Sequence, residues 1–276
     1  MTGTLFVVAT PLGNLGDLSP RAADTLRQVA VVAAEDTRRT KRLLNHLDAR
    51  PRLKSLPAFA EADRAEAVLA ELDKGLDVAL VTDAGTPGVS DPGTRLVALA
   101  RARDIMVVPI PGPSAVATAL SASGLPADRY LFLGFPPRKG SSRRALLDTV
   151  ATSPWTVVLY ESPNRLVALL HDLGAALGGD RAAVVGRELT KLHEEIVAGT
   201  LDELEARFAD ASVRGEVTVV VAGRRQAAAQ PDLAEVTKAA EALIGEGLPT
   251  KDIVRRLTED WGLSRNEGYR LVMRLS

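Results

Sequence analysis

The densest concentration of chemistry-bearing residues is Asp83-Ala84-Gly85-Thr86-Pro87-Gly88-Val89-Ser90-Asp91-Pro92-Gly93, directly after the apolar run Val78–Thr82. Three glycines, two prolines and two aspartates in eleven residues make a stiff loop with carboxylates on it. At the carboxyl end of a buried strand, such a loop lies where open α/β sheets take their ligands. The alternative is a tight connection in which Asp91-Pro92 only starts the next helix. A second loop, Thr10-Pro11-Leu12-Gly13-Asn14-Leu15-Gly16-Asp17-Leu18-Ser19-Pro20, carries glycines that let main chain approach a ligand, and Ser19 and Pro20 suit the N-cap and first position of a helix. A third, Pro109-Ile110-Pro111-Gly112-Pro113-Ser114-Ala115, is a rigid turn. It offers N–H and C=O groups at fixed positions, which is what a small polar cofactor needs. The loop Thr10–Pro20 lacks the G-x-G-x-x-G spacing of dinucleotide sites, and Gly134 to Ser141 is no phosphate loop, because Lys139 stands where that pattern needs glycine.

Composition removes several other chemistries. With no cysteine in 276 residues, disulfides, thiolate zinc sites, iron–sulfur clusters and cysteine nucleophiles are all excluded. His46, His171 and His193 are too scattered to suggest a metal, and none is expected. The net charge of −1 gives no global pull toward nucleic acid, so a polyanionic partner has to be held by local clusters of Arg and Lys. No apolar stretch is long enough for a signal sequence or a membrane span, and a cytoplasmic protein is expected.

The elements that position these loops are short β-branched runs bounded by Gly, Pro or Asp. They are Leu5–Ala9, Val29–Ala33, Val78–Thr82, Ile105–Ile110, Tyr130–Leu133, Thr156–Tyr160, Ala182–Val185 and Val217–Val221. Between them lie segments with helical spacing, such as Leu166, Leu169, Leu170 and Leu173. Alternation of strand and helix predicts mostly parallel sheets covered on both faces, an α/β protein. A break at Ser123-Gly124-Leu125-Pro126 divides the body into 1–123 and 124–225. The polar, alanine-rich stretch Gly223 to Pro231 reads as a linker, so that 226–276 forms a small all-α module. Its helices are expected from about Leu233 to Glu246, Thr250 to Trp261, and after a capping box of Ser264 and Glu267, an order similar to a helix-turn-helix unit. Between Gln226 and Ser276 seven Lys or Arg stand against eight Asp or Glu. A packing module and a nucleic-acid reader are therefore both open, the latter through a face of Arg255, Arg256, Arg265, Arg270 and Arg274.

Taken in order, the motifs resemble a known family. Thr10–Asn14 with Asp17–Ala22, Glu35-Asp36-Thr37-Arg38, Asp83–Pro87 through Ser90–Gly93, and Pro111–Ala115 are similar to the tetrapyrrole-methylase superfamily. Within it the chain resembles the bacterial 16S ribosomal RNA cytidine 2′-O-methyltransferases, through Gly134–Lys139, Tyr160–Arg165, Arg187–Lys191 with Glu194-Glu195, and Gly215-Glu216. The similarity spans about residues 4 to 225, and the helical tail is similar too; Pro136 and Leu15 are small departures outside the ligand loops.

The resemblance implies two α/β domains with a cleft between them that holds S-adenosylmethionine. It carries cofactor contact to Pro11, Gly85, Thr86, Pro87, Val89, Ser114 and Ala115, and also to Leu133, Ala222 and Gly223, for which ordinary strand-end packing is the alternative. The implied reaction is attack of a ribose 2′-hydroxyl on the sulfonium methyl, with Asp36, Glu161 or Glu188 as the base. Each of these could instead be an ion-pair partner of Arg38, Arg165 or Arg187. Ribosomal RNA or the small subunit would be gripped by Arg38, Arg39, Lys41 and Arg42 and by Arg138, Lys139, Arg143 and Arg144, unless these runs are merely solvated faces. A homodimer is implied as well. Two rivals stay open at this point, a methylase of the same superfamily acting on a tetrapyrrole-like small molecule and a ligand-sensing, nucleic-acid-binding regulator.

Overall fold

A computed structural model describes residues 2–209, 214–224 and 233–275. Contacts divide them into two compact units, Met1–Gly223 and Arg224–Ser276. Most of the linker expected from Gly223 to Pro231 lies outside the described residues.

The first unit contains two five-stranded sheets. The first sheet is built from β1 (Leu5–Val8), β2 (Val31–Ala34), β3 (Arg52–Ser55), β4 (Val78–Val81) and β5 (Val107–Ile110), in the order β3-β2-β4-β1-β5. Every pairing in it is parallel, as the alternating pattern predicted. Its central strands read as unbroken apolar runs because both faces are covered. On one face lie α1 (Pro20–Gln28) and α2 (Thr37–His46), whose Leu26, Leu43 and Leu44 meet Val8, Val32 and Val81. On the other lie α3 (Glu61–Asp73) and α4 (Thr94–Ala102), whose Leu69, Leu72 and Leu96 meet Leu5, Val31 and Leu80. Ser19 caps α1 as its position predicted, its side chain accepting from Ala22 N with Pro20 in the first turn. Because all five strands run the same way, the loops after β1, β2, β4 and β5 emerge on one edge.

The second sheet corrects the expectation of mostly parallel pairing. It is built from β6 (Tyr130–Phe132), β7 (Thr156–Glu161), β8 (Ala182–Arg187), β9 (Glu195–Thr200) and β10 (Val217–Val221), in the order β6-β7-β10-β8-β9. Only β6 and β7 pair in parallel; β10 runs antiparallel to both its neighbours, and β8 and β9 form a hairpin. The physical reason is that the last strand inserts between β7 and β8, and the β8–β9 link has no crossover helix. On one face lie α6 (Ser141–Thr152), α7 (Leu166–Leu177) and α8 (Leu201–Ala209), which bury Val150, Leu169, Leu173, Leu204 and Phe208 against Val157, Leu159 and Val219. The other face receives α5 (Ala115–Ser123), through Val116, Ala119 and Leu120 on Val158, Val184 and Val220. Leu12, from the loop after β1, joins this cluster, so the two sheets share a core at their seam.

Two edge strands, β3 and β9, carry no long apolar run and escape the pattern that identifies buried strands. Several strand limits also shift. Val29 is the C-cap of α1, and Ile105 N donates to Ala100 O at the end of α4, so β2 and β5 each begin two residues later than the apolar runs do. The second unit holds α9 (Leu233–Gly245), α10 (Thr250–Trp261) and α11 (Arg265–Leu275) around Val236, Ala240, Ile253, Leu257 and Val272. The expected capping box is present, with Glu267 N donating to Ser264 Oγ and Ser264 N to Glu267 Oε2.

The polar edge strand β3 is held by charge. The buried Glu71 of α3 accepts from Arg52 and Lys54, both at 3.0 Å, with Lys74 at 3.6 Å. The hydrogen bonds from Lys54 and Arg52 draw its pKa down to about 2. A carboxylate depressed in this way stabilises the fold above its ordinary pKa of 4.5 and loses that contribution as pH falls toward 2. Glu71→Gln is therefore expected to melt at a lower temperature than the parent at pH 7. Melting curves taken at intervals down to pH 2 should bring the two proteins together; a gap that stays constant would contradict the assignment.

Candidate functional site

Three loops at the carboxyl edge of the first sheet are tied to one another by main-chain bonds. Thr10 and Gly85 exchange both N–H···O bonds, at 2.9 and 3.0 Å, forming a bridge between the loops after β1 and β4. Thr10 Oγ1 also donates to Thr82 O at 3.1 Å, and Thr86 Oγ1 donates to Pro113 O at 3.1 Å in the loop after β5. Gly85 has φ +84°, and a Cβ there would press on Leu12 Cδ2 at 3.3 Å, so glycine is needed for both conformation and space. Ser90 is also left-handed, at φ 63°.

The second sheet closes the site. The loop between β8 and β9 reaches back, and Asn14 N donates to Thr190 Oγ1 at 3.2 Å. The Lys191 stem lies where a Cβ on Gly13 would be, 2.1 Å from its Cγ. Between these contacts is a cavity of about 380 Å³. Its first-sheet wall includes Leu12, Glu35, Arg39, Asp83, Gly85, Thr86, Val89, Asp91, Ser114 and Ala115. The second-sheet wall is formed by Phe135, Tyr160, Glu161 and Ser162 and by Gly215–Thr218 where β10 begins. Phe132 and Phe135 both pack edge-on to the Tyr160 ring.

Of the residues expected to touch a cofactor, Gly85, Thr86, Val89, Ser114 and Ala115 line this cavity. Pro11 and Pro87 are buried in the same loops without lining it. Leu133 packs against the core of the second sheet. Ala222 and Gly223 follow the far end of β10, five residues from its cavity end, and Gly223 lies against Pro154, whose O would be 2.3 Å from a Cβ. The corresponding wall is made instead by Glu216, Val217 and Thr218. The available signal for them was Gly215-Glu216 preceding an apolar run, read there only as a family motif.

The three carboxylates put forward as bases are each engaged elsewhere. Asp36 caps α2 by accepting from Arg38 N at 2.8 Å and pairs with the Arg38 side chain at 2.8 Å, and those hydrogen bonds lower its pKa to about 2. Glu161 lines the cavity but is buried, accepting from Ser162 N at 2.7 Å and from Arg165 at 2.6 Å. Burial alone would raise the pKa of Glu188, yet hydrogen bonds from Lys191 and from Glu216 N outweigh it and hold the group below its ordinary value.

Asp91 differs from all three, and the spacing of the motif gave no sign of it. Burial, reinforced by Glu35, Asp83 and Glu216, pushes its pKa up to about 6 against a hydrogen bond with Thr82. Burial likewise raises Asp83, opposed by the bond it accepts from Asp36 N. Tyr160 is pushed up to about 12 by burial and by the Asp91 charge, so its hydroxyl stays neutral. Thr82 Oγ1 donates to Glu35 at 2.8 Å. The cavity is thus rich in carboxylates, with Arg39, paired to Asp83 at 3.4 Å, as the cation on its lining. Among the described residues no group of His, Asp and Glu is arranged to hold a metal ion.

Apart from Arg39, the basic runs are not on the lining of this acidic interior. Arg38, Arg39, Lys41 and Arg42 are exposed on the first turns of α2. Arg138, Lys139 and Arg144 are exposed around the start of α6, but Arg143 is half-buried, bonded to Asp172 at 2.6 Å and to Pro137 O.

A parallel sheet whose strand-end loops close on the edge of a second, mostly antiparallel sheet, with a cavity at the seam, defines the fold of the tetrapyrrole methylases. The chain superimposes on a cobalt precorrin-4 methyltransferase of cobalamin biosynthesis with a TM-score of 0.62 at 17% identity, over 79% of this chain and 94% of that one. A uroporphyrin-III C-methyltransferase from Thermus thermophilus, solved with S-adenosylhomocysteine, gives 0.59 at 19%, over 80% and 97%. Residues 4–205 match the family model of the tetrapyrrole (corrin/porphyrin) methylases, and the chain belongs to that family. Among its relatives are proteins named ribosomal RNA small subunit methyltransferase I. That of Micromonospora olivasterospora is 46% identical over 98% of this chain and 87% of its own length. That of Synechocystis is 42% identical over 99% and 98%, and that of Mycobacterium tuberculosis H37Rv is 49% identical over 91% and 87%.

The Asp91 environment has a consequence for stability. A carboxyl whose folded pKa lies near 6, against an ordinary 3.8, favours folding when neutral and opposes it once ionised, so its penalty grows as pH rises through that interval. Discounted for its partial exposure, removing the charge should raise the melting temperature of Asp91→Asn by about 2 °C at pH 8. The gain should vanish below pH 4. Calorimetric scans at both pH values check this, and an unchanged or lower melting temperature at pH 8 would count against an unpaired carboxylate here.

Proposed function

We propose that this chain methylates the ribose 2′-hydroxyl of a cytidine in 16S ribosomal RNA, using S-adenosylmethionine bound in the cavity between its two sheets. Its class, an S-adenosylmethionine-dependent rRNA methyltransferase, rests on the family match and on relatives of that name along nearly the whole chain. The observation that carries the reading is the seam cavity itself, with main chain pinned on one side, carboxylates inside and arginines and lysines outside.

The residues present fit the donor. Thr86, Ser114 and Ala115 would meet it with main chain that the Thr10–Gly85 bridge and the Thr86–Pro113 bond hold in place, and the carboxylate-rich lining favours a cation. When bound, the donor supplies a methyl group on an electrophilic sulfonium. The chain's own contribution is mostly alignment: holding two reactants in line can supply about 7–11 kcal/mol of the barrier. The Tyr160 and Phe135 rings, packed edge-on, give the cavity wall an apolar part, with Phe132 behind Tyr160.

An acidic cavity repels phosphate, so the RNA backbone has to be held at the rim. Arg38, Lys41 and Arg42 on one side and Arg138, Lys139 and Arg144 on another are exposed and suited to that task. By the same family resemblance the working form is a cytoplasmic homodimer. No helix among the described residues is long and apolar enough to cross a membrane.

Mass-spectrometric mapping of small-subunit rRNA from cells lacking the gene tests the reading. One cytidine should lose a ribose methyl and regain it on complementation; intact ribose methylation, or loss of a base methyl instead, would refute the proposed specificity. A second expectation concerns the rim. Replacing Arg138, Lys139 and Arg144 together with alanine should lower RNA affinity by about tenfold or more at moderate salt and flatten its salt dependence, while donor affinity stays within about twofold. Equal RNA binding by both proteins would remove this surface from the interface.

A further inference from the structure

Methyl transfer to a hydroxyl leaves a proton to be removed, and the three candidate bases are committed to other partners. Among the cavity carboxylates, Glu161 is held by Arg165, Glu216 by Lys191 and Asp83 by Arg39. Glu35 Oε2 accepts from Thr82 Oγ1 and from Asp83 N. Asp91 is the exception: among the described residues it has no ion-pair partner, and its side-chain neighbour is the Thr82 hydroxyl.

Its backbone is nonetheless well fixed. Ser90 and Gly93, on either side, both have positive φ, at 63° and 129°. Gly93 N donates to Glu61 Oε1 at 3.0 Å, Gly88 N donates to Pro92 O, and Ser90 Oγ lies where a Cβ on Gly134 of the second sheet would come within 3.1 Å. A carboxylate with an open acceptor position, on a braced loop at the wall of the reaction cavity, has what a proton acceptor requires.

We propose that Asp91 takes the proton from the substrate hydroxyl as the methyl group is transferred. This rests on the reading of the site as that of an RNA ribose methyltransferase. In the step an O–CH₃ bond forms, the S–CH₃ bond breaks with its electron pair remaining on sulfur, and the hydroxyl proton passes to the Asp91 carboxylate. The products are a methyl ether, a neutral thioether and a neutral carboxylic acid, so atoms and charge balance. Thr82 then acts as a positioning residue: its hydroxyl bonds Glu35 at 2.8 Å and also favours the ionised form of Asp91, the form that accepts the proton. The charged and titratable groups that face Asp91 are Glu35 and Asp83 from the first sheet and Tyr160 and Glu216 from the second, with Arg39 on the same lining. Tyr160 does not compete, because it holds its own proton until far above neutral pH.

The test uses single-turnover transfer of labelled methyl from S-adenosylmethionine to small ribosomal subunits by the full chain. Asp91→Asn, which keeps the side-chain shape, should slow transfer by about a hundredfold or more. Donor affinity, measured by calorimetry, should stay within about threefold, and Asp91→Glu should recover part of the rate. The parent's rate should rise with pH to a plateau, with its inflection at or below about 6, since a bound cation favours the ionised acid. That inflection should be absent in Asp91→Asn. An Asp91→Asn enzyme within about threefold of the parent, or one slowed but with the inflection intact, would overturn the proposal. If the parent itself transfers no methyl to ribose, the reading of the site fails, an outcome distinct from failure of Asp91.

Discussion

The site depends on one set of main-chain contacts, the paired bonds between Thr10 and Gly85 together with the Thr86–Pro113 bond. They connect the ends of β1, β4 and β5, which are neighbours or near neighbours in the parallel sheet. Each loop alone would be a flexible connection. Joined, they behave as one surface whose N–H and C=O groups keep fixed positions, which lowers the ordering that ligand binding would otherwise require. The left-handed backbone at Gly85 costs little because glycine lacks a Cβ, and these bonds determine the path of the chain there. The second sheet adds the opposite wall, and the shared core of Leu12, α5 and the inner face of β7, β8 and β10 holds that wall in place.

Charge is distributed with equal consequence. The interior of the cleft concentrates Glu35, Asp83, Asp91, Glu161 and Glu216, an arrangement that disfavours the folded protein while empty and suits a cationic ligand. Most of these groups are moderated by a cation or by hydrogen bonds, and Asp91 carries the residual strain in its raised pKa. Exposed cations lie instead on α2 and at the start of α6. A chain of net charge −1 thus carries both an acidic cleft and basic surface, separated locally.

Much of the fold was legible in the amino-acid order. Runs such as Val78–Thr82 are apolar throughout because parallel strands are covered on both faces, and the ligand loops are marked by glycine and proline for steric reasons. What escaped has physical causes as well. The edge strands β3 and β9 need no continuous apolar run, and the direction of strands in the second sheet is set by β10 inserting between β7 and β8, a long-range event without local signature. In the site, main-chain contacts were visible as motifs, whereas the state of each carboxylate was not. Asp36, Glu161 and Glu188 stand in conspicuous Glu-Asp or Arg-flanked motifs because they cap and pair, while Asp91 is distinguished only by which groups surround it.

The central claim, that pinned main chain around Gly85 forms the donor site, is most directly tested by isothermal titration of S-adenosylmethionine into the parent and into Gly85→Val. A valine would force a β-branched residue into φ +84° against Leu12. The account predicts one bound donor per parent chain and little or no binding by a variant that still melts cooperatively. Absence of uptake by the well-folded parent, or undiminished uptake by the folded variant, would contradict it.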